Sequence, residues 1–166
     1  MQPRLILAAL LALSMTAARA DFNDGVVALM AGKYALALKV FVPLAETSQH
    51  AYAQYFLARM YENGQGVPKD LKTAAGWYRK AAEQGVGDAQ FHLGAMYERG
   101  EGVPRDLEYA YGWYSVAAHL GNAKSDAALA SAKGQLSAPE LVEADKLSRD
   151  LITKFGTTPA STARTQ

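Results

Sequence analysis

Residues 53–85 read AQYFLARMYENGQGVPKDLKTAAGWYRKAAEQG, and residues 89–121 read AQFHLGAMYERGEGVPRDLEYAYGWYSVAAHLG. The landmarks recur at one offset: Gly64 and Gly100, Pro68 and Pro104, Asp70 and Asp106, and Trp77 and Trp113 each stand 36 residues apart. A fixed period of this size marks a solenoid of repeated supersecondary units. Such units bury their apolar faces against neighbours in the stack, and the stack offers an extended binding surface.

Each copy reads as two helices joined by a structured turn. Ala53, Phe56, Leu57, Met60 and Tyr61 fall at the i, i+3, i+4, i+7, i+8 spacing of one apolar helical face. Gly64 suits the left-handed residue that ends such a helix, and Gly66 permits a second tight bend. Val67 must be extended because Pro68 follows it, and Asp70 is placed to cap the next helix through its carboxylate. That second helix puts Leu71, Ala74, Ala75, Tyr78, Ala81 and Ala82 on one face before Gly85 closes it. Small residues at Ala58/Gly94, Ala74/Ala110 and Ala81/Ala117 let helices approach closely, and the paired Tyr and Trp positions fill the space between them.

The run A-x-x-x-L-x-x-M-Y-E-x-G-x-G-V-P-x-D-x-x-x-A-x-x-W-Y-x-x-A-A-x-x-G resembles the Sel-one-like repeat (SLR), a relative of the tetratricopeptide repeat. The resemblance covers two full copies. It implies an all-α fold, an α/α right-handed superhelical solenoid of antiparallel helix hairpins, acting as an adaptor for other proteins. No catalytic residue comes with it.

The flanks are degenerate. Residues 21–50 form a half-similar N-terminal hairpin around Gly32-Lys33, residues 51–87 and 88–122 hold the two repeats, and residues 123–155 hold a decayed repeat and a capping helix. Roughly eight helices follow from this division. The first junction, Thr47-Ser48-Gln49-His50, lacks the glycine found at Gly85 and is one residue longer. Ser137-Ala138-Pro139-Glu140 is a capping box that opens the last helix, which is expected to cover an apolar face formed by Leu129, Ala130 and Leu136. Residues 156–166, rich in Thr, Ala and Ser, read as a disordered tail.

Residues 1–20 read as a cleaved signal peptide. Arg4 precedes an uncharged run from Leu5 to Leu13, and Ala18-Arg19-Ala20 has the small-x-small form of a cleavage site. The chain from Asp21 onward would then be periplasmic or secreted, with no integral membrane segment. It holds 15 basic and 16 acidic residues, a balance that argues against nucleic acid as a partner. The sequence has no cysteine, so neither a lipid anchor on cysteine nor a disulfide contributes.

Catalytic and metal-binding patterns are missing. None of His50, His92 and His119 is followed by a second ligand at i+4, and there is no H-E-x-x-H, G-x-S-x-G or S-x-x-K run. No cofactor is implied. The Gly64-Gln65-Gly66 turn follows a helix and precedes Val-Pro, which is not the context of a phosphate loop.

The leading reading is a scaffold that binds a protein or peptide on its concave face. Tetratricopeptide-like geometry, carried over by matching Leu57 and Tyr61, points to Tyr52, Tyr55, Arg59 and Glu62. One period later it points to Asp88, Phe91, Ala95 and Glu98. The alternative is a weak enzyme or small-ligand binder acting on cell-wall material or beta-lactams, a property described for some cysteine-rich relatives of the wider family.

Overall fold

A computed structural model describes residues 21–157. The expected signal peptide and the tail from residue 158 onward lie outside the described residues. Among the described residues there are eight helices and no strand: α1 (Phe22–Met30), α2 (Tyr34–Glu46), α3 (Ala51–Asn63), α4 (Leu71–Glu83), α5 (Gly87–Arg99), α6 (Leu107–His119), α7 (Ser125–Gln135) and α8 (Ala138–Phe155). From α1 to α7 each helix packs on the next.

Helix α3 is buried on two sides, as an interior member of a stack must be. Ala53, Leu57 and Met60 join Ala37, Val40 and Phe41 of α2 in one apolar cluster. Ala51, Tyr55 and Ala58 join the larger cluster that runs through α4, α5 and α6. Phe56, Tyr61 and Trp77 touch both clusters and make the core continuous. Phe41, Leu57, Met60, Leu93 and Met96 are at most 1% exposed, and each such side chain contributes about 1.5–3 kcal/mol by leaving water.

The hairpin turn is built identically in both copies. Gly64 and Gly100 are left-handed, with φ of 70° and 71°, and end α3 and α5. The next N–H groups, of Gln65 and Glu101, donate to the carbonyls of Met60 and Met96. The Asp70 and Asp106 N–H groups donate to the carbonyls of Tyr61 and Tyr97, both at 2.9 Å. Asp70 Oδ1 accepts from the N–H groups of Lys72 and Thr73 at 3.0 Å each, and Asp106 Oδ1 accepts from Tyr109 N–H at 3.0 Å. The helix starts are thereby satisfied.

The second glycine of the turn serves a different purpose. A Cβ on Gly102 would lie 2.1 Å from the Leu71 carbonyl oxygen at the start of α4. A Cβ on Gly66 would lie 2.7 Å from Tyr34 Cβ at the start of α2. Each turn rests directly on the beginning of the previous hairpin's second helix. A repeated side-chain bond adds to this seam: Gln54 Nε2 donates to the Ala45 carbonyl at 3.1 Å, and Gln90 Nε2 to the Ala82 carbonyl at 3.0 Å.

The last helix breaks the order. Helix α8 opens on the expected capping box, Ser137 N–H donating to Glu140 Oε2 at 2.8 Å, but it packs along α6 rather than on α7. Leu147 and Leu151 sit over Gly112, where a Cβ would be 2.9 Å from Leu151 Cδ1. Phe155 stacks on Trp113 at 5.6 Å, and its carbonyl accepts from Gln90 Nε2 at 3.2 Å. This corrects the expectation that α8 covers Leu129, Ala130 and Leu136. Leu129 and Leu136 border the main cluster, Ala130 is exposed, and the face that α8 covers belongs to α6.

At the first junction Gln49 adopts φ 49°, left-handed like Gly85 and Gly121 but without their freedom. His50 caps α3, its Nδ1 accepting from Ala53 N–H at 3.2 Å, where Val86 at the matching position of the next repeat makes no side-chain cap. A left-handed non-glycine residue is strained by about 1–2 kcal/mol, partly offset in Gly by greater chain entropy. Gln49→Gly should therefore raise stability by about 0.5–1 kcal/mol in urea unfolding. An unchanged or lower midpoint would contradict that reading of the junction.

Candidate binding face

The residues expected to face a ligand come from α3 and α5, and the two helices bring most of them into one aromatic cluster. Tyr55 is buried, at 9% exposure, with its ring 6.0 Å from Tyr78 and 6.1 Å from His92. It forms the floor of the face rather than a free contact. Arg59 is exposed and stands over that ring, its guanidinium carbon 5.9 Å from the centroid. Tyr52, two turns before Arg59, is 46% exposed. Phe91 is half-buried and meets His92 edge-on at 5.7 Å and Tyr114 at 5.6 Å. Ala95 is buried in the main core and offers no surface.

The acidic members are committed to the framework. Glu62 Oε2 accepts from the Tyr78 hydroxyl at 2.5 Å, and one period later Glu98 Oε2 accepts from the Tyr114 hydroxyl at 2.7 Å. Glu98 Oε1 also accepts from Gln135 Nε2 at 2.9 Å, tying α5 to α7. Burial and then the adjoining carboxylate push the Tyr78 and Tyr114 hydroxyls well above the ordinary tyrosine range, so both remain donors. Asp88 is exposed and accepts from Asn122 Nδ2 at 2.9 Å, across to the loop before α7.

His92 was not singled out as a contact from the sequence, yet it sits at the centre of the cluster. Its ring stacks on Tyr78 at 4.9 Å and 5°, and Nδ1 lies 3.7 Å from Glu62 Oε2. The first copy holds Phe56 at the matching position, so the departure from the repeat was the one available signal. Burial holds the His92 imidazole below the ordinary histidine range. The Glu62 carboxylate opposes that, Arg59 reinforces it, Asp88 opposes it and Lys124 reinforces it.

Among the described residues no group of three or more His, Cys, Asp or Glu is placed to hold a metal ion, and no helix is long and apolar enough to cross a membrane.

The fold is that of an α/α-solenoid repeat protein. The Sel1 repeat family model matches residues 51–86 and 87–122, so these two segments are Sel1 repeats. A protective antigen from uropathogenic Escherichia coli strains, displaying an SLR fold, is similar at 29% identity and TM-score 0.79 over 93% of this chain. A Sel1 repeat protein from Oxalobacter formigenes is similar at 28% identity and TM-score 0.63 over 79% of this chain. The matches span 36% and 56% of those two chains, so this chain is much the shorter. No curated protein matches.

The buried imidazole gives this face a pH signature. A group whose pKa is lower folded than unfolded contributes stability that is complete above the unfolded value, about 6.5 for histidine, and is lost as pH falls through the folded one. Between pH 7 and pH 5 the wild type should lose stability faster than His92→Phe, which carries the first copy's residue. Both proteins share every other histidine, so the difference between the two urea-midpoint curves isolates His92. Parallel curves would contradict the assignment.

Proposed function

We propose that the protein is an exported, periplasmic scaffold that binds a partner protein or peptide through the concave face formed by α3 and α5. The observation that carries this reading is Arg59. Among the described residues it makes no ion pair, and it stands exposed above the buried Tyr55 ring, which half-buried His92 also meets. An arginine held over an aromatic floor has the composition of an interaction hot spot. Export rests on the sequence of residues 1–20, with Asp21 as the first residue after cleavage. Glu62, Glu98 and Asp88 organise the face, and Tyr52, Arg59, Phe91 and His92 are its contact surface.

Tyr55 is unsuitable for the test because removing a buried ring would damage the core. Tyr52→Ala combined with Arg59→Ala alters exposed positions and should leave the fold intact. Pulldown from envelope extract with the purified chain beginning at Asp21 should recover a defined set of proteins. The double variant, melting like the wild type, should lose them by about tenfold or more, as befits two contact residues. Recovery of the same proteins in the same amounts by both would remove the concave face from the proposal.

A further inference from the structure

A second site lies away from that face, where α4 and α6 meet the end of α8. It is an open cleft of ≈ 250 Å³, the size of one large side chain rather than of a drug-sized ligand. Its walls are aromatic. Trp113 stacks with Phe155 at 5.6 Å and 21°, and Tyr97 stacks with Tyr109 at 5.2 Å and 27°. Tyr109 is 40% exposed.

Two cations stand on the rim, Arg79 from α4 and Lys154 from α8. Among the described residues neither lies within ion-pair distance of a carboxylate. Arg79 Nη2 donates to the Tyr97 hydroxyl at 2.5 Å, a neutral acceptor that fixes the guanidinium and leaves its remaining donors available. Lys154 Nζ lies 5.0 Å from the centroid of the Phe155 ring. Glu83 is the single acid of the lining, so the rim is positive by one charge.

The repeat does not require these groups. The first copy has Thr73 where the second has Tyr109, and the second has Ser115 where the first has Arg79. Tyr97 and Trp113 recur as Tyr61 and Trp77, but Arg79, Tyr109 and the α8 residues that complete the cleft do not follow the period.

We propose that this cleft binds the C-terminal residue of a peptide that ends in an aromatic side chain. Its free carboxylate lies between Arg79 and Lys154, and its ring lies on Tyr109 and the Trp113–Phe155 stack. A planar carboxylate matches the guanidinium fork, and charge-assisted bonds of this kind are the strong ones. The aromatic walls take a flat apolar group and disfavour a strongly hydrated inorganic anion. The cleft is open to solvent, so the rest of the peptide has a way out.

Calorimetric titration of the chain from Asp21 with acetyl-Ala-Ala-Phe tests this, beside the same peptide as its C-terminal amide and beside 3-phenylpropionate. The free acid should bind, and the amide should bind about tenfold more weakly or worse, the loss expected for a charged hydrogen bond. Arg79→Gln should weaken the acid by a similar factor, and Glu83→Gln should tighten it because a repelling charge is gone. Tyr109→Thr, at an exposed position and with the first copy's residue, should weaken acid and amide alike. Each variant is first checked for an unchanged melt. No heat with the acid at about 5 mM, a range that covers dissociation constants of about 1 mM, would overturn the proposal. So would equal binding of acid and amide, or 3-phenylpropionate binding as tightly as the peptide. Because these groups lie apart from Tyr52 and Arg59, failure here leaves the concave-face reading standing.

Discussion

The second glycine of each hairpin turn lies against the start of the previous hairpin's second helix, and the stack depends on that contact. Leu71 O would be 2.1 Å from a Cβ at Gly102, a separation that no side chain tolerates and that a backbone carbonyl cannot relieve by a rotamer change. The first glycine turns the chain; the second sets how near one repeat comes to the next. Once that distance is set, the glutamine amides at Gln54 and Gln90 reach the ends of the preceding helices. Tyr78 and Tyr114, each at most 1% exposed, then fill the interior and direct their hydroxyls to Glu62 and Glu98.

Function on such a frame falls to the residues the frame leaves over. Glu62 and Glu98 recur in both copies because each receives a buried tyrosine hydroxyl. His92, Arg79 and Tyr109 differ from their counterparts Phe56, Ser115 and Thr73, and each stands at a surface where two or three elements converge. In a repeat protein, positions that depart from the period are therefore better pointers to binding chemistry than positions that keep it.

The hairpins, their caps and the left-handed Gly64 were legible because each is a local matter of spacing and turn chemistry, settled within a few residues. The path of α8 was not. Gly76 and Gly112 are the same residue at the same register, yet Gly76 has nothing within 4 Å of its would-be Cβ while Gly112 lies under Leu151 and Leu147. A periodic pattern cannot tell which copy the final helix will cover, since that is decided by the end of the stack. For the same reason Trp77 borders both clusters beside Lys80, whereas Trp113 is 3% exposed beneath Phe155. The burial of Tyr55 was hidden too. It lies just off the apolar stripe read from the sequence, but α4 and α5 close over it.

The coupling between repeats is tested most directly by placing one methyl group at two left-handed glycines. Gly121 has φ 80° and nothing within 4 Å of its would-be Cβ, whereas Gly102 has φ 72° and the Leu71 carbonyl against it. Gly121→Ala should cost only the left-handed strain, about 1 kcal/mol. Gly102→Ala should cost at least about 1–2 kcal/mol more, the range for overpacking a close contact, with a broadened urea transition as the repeats uncouple. Equal losses in the two variants, with transitions of equal sharpness, would contradict the claim that this contact holds the stack together.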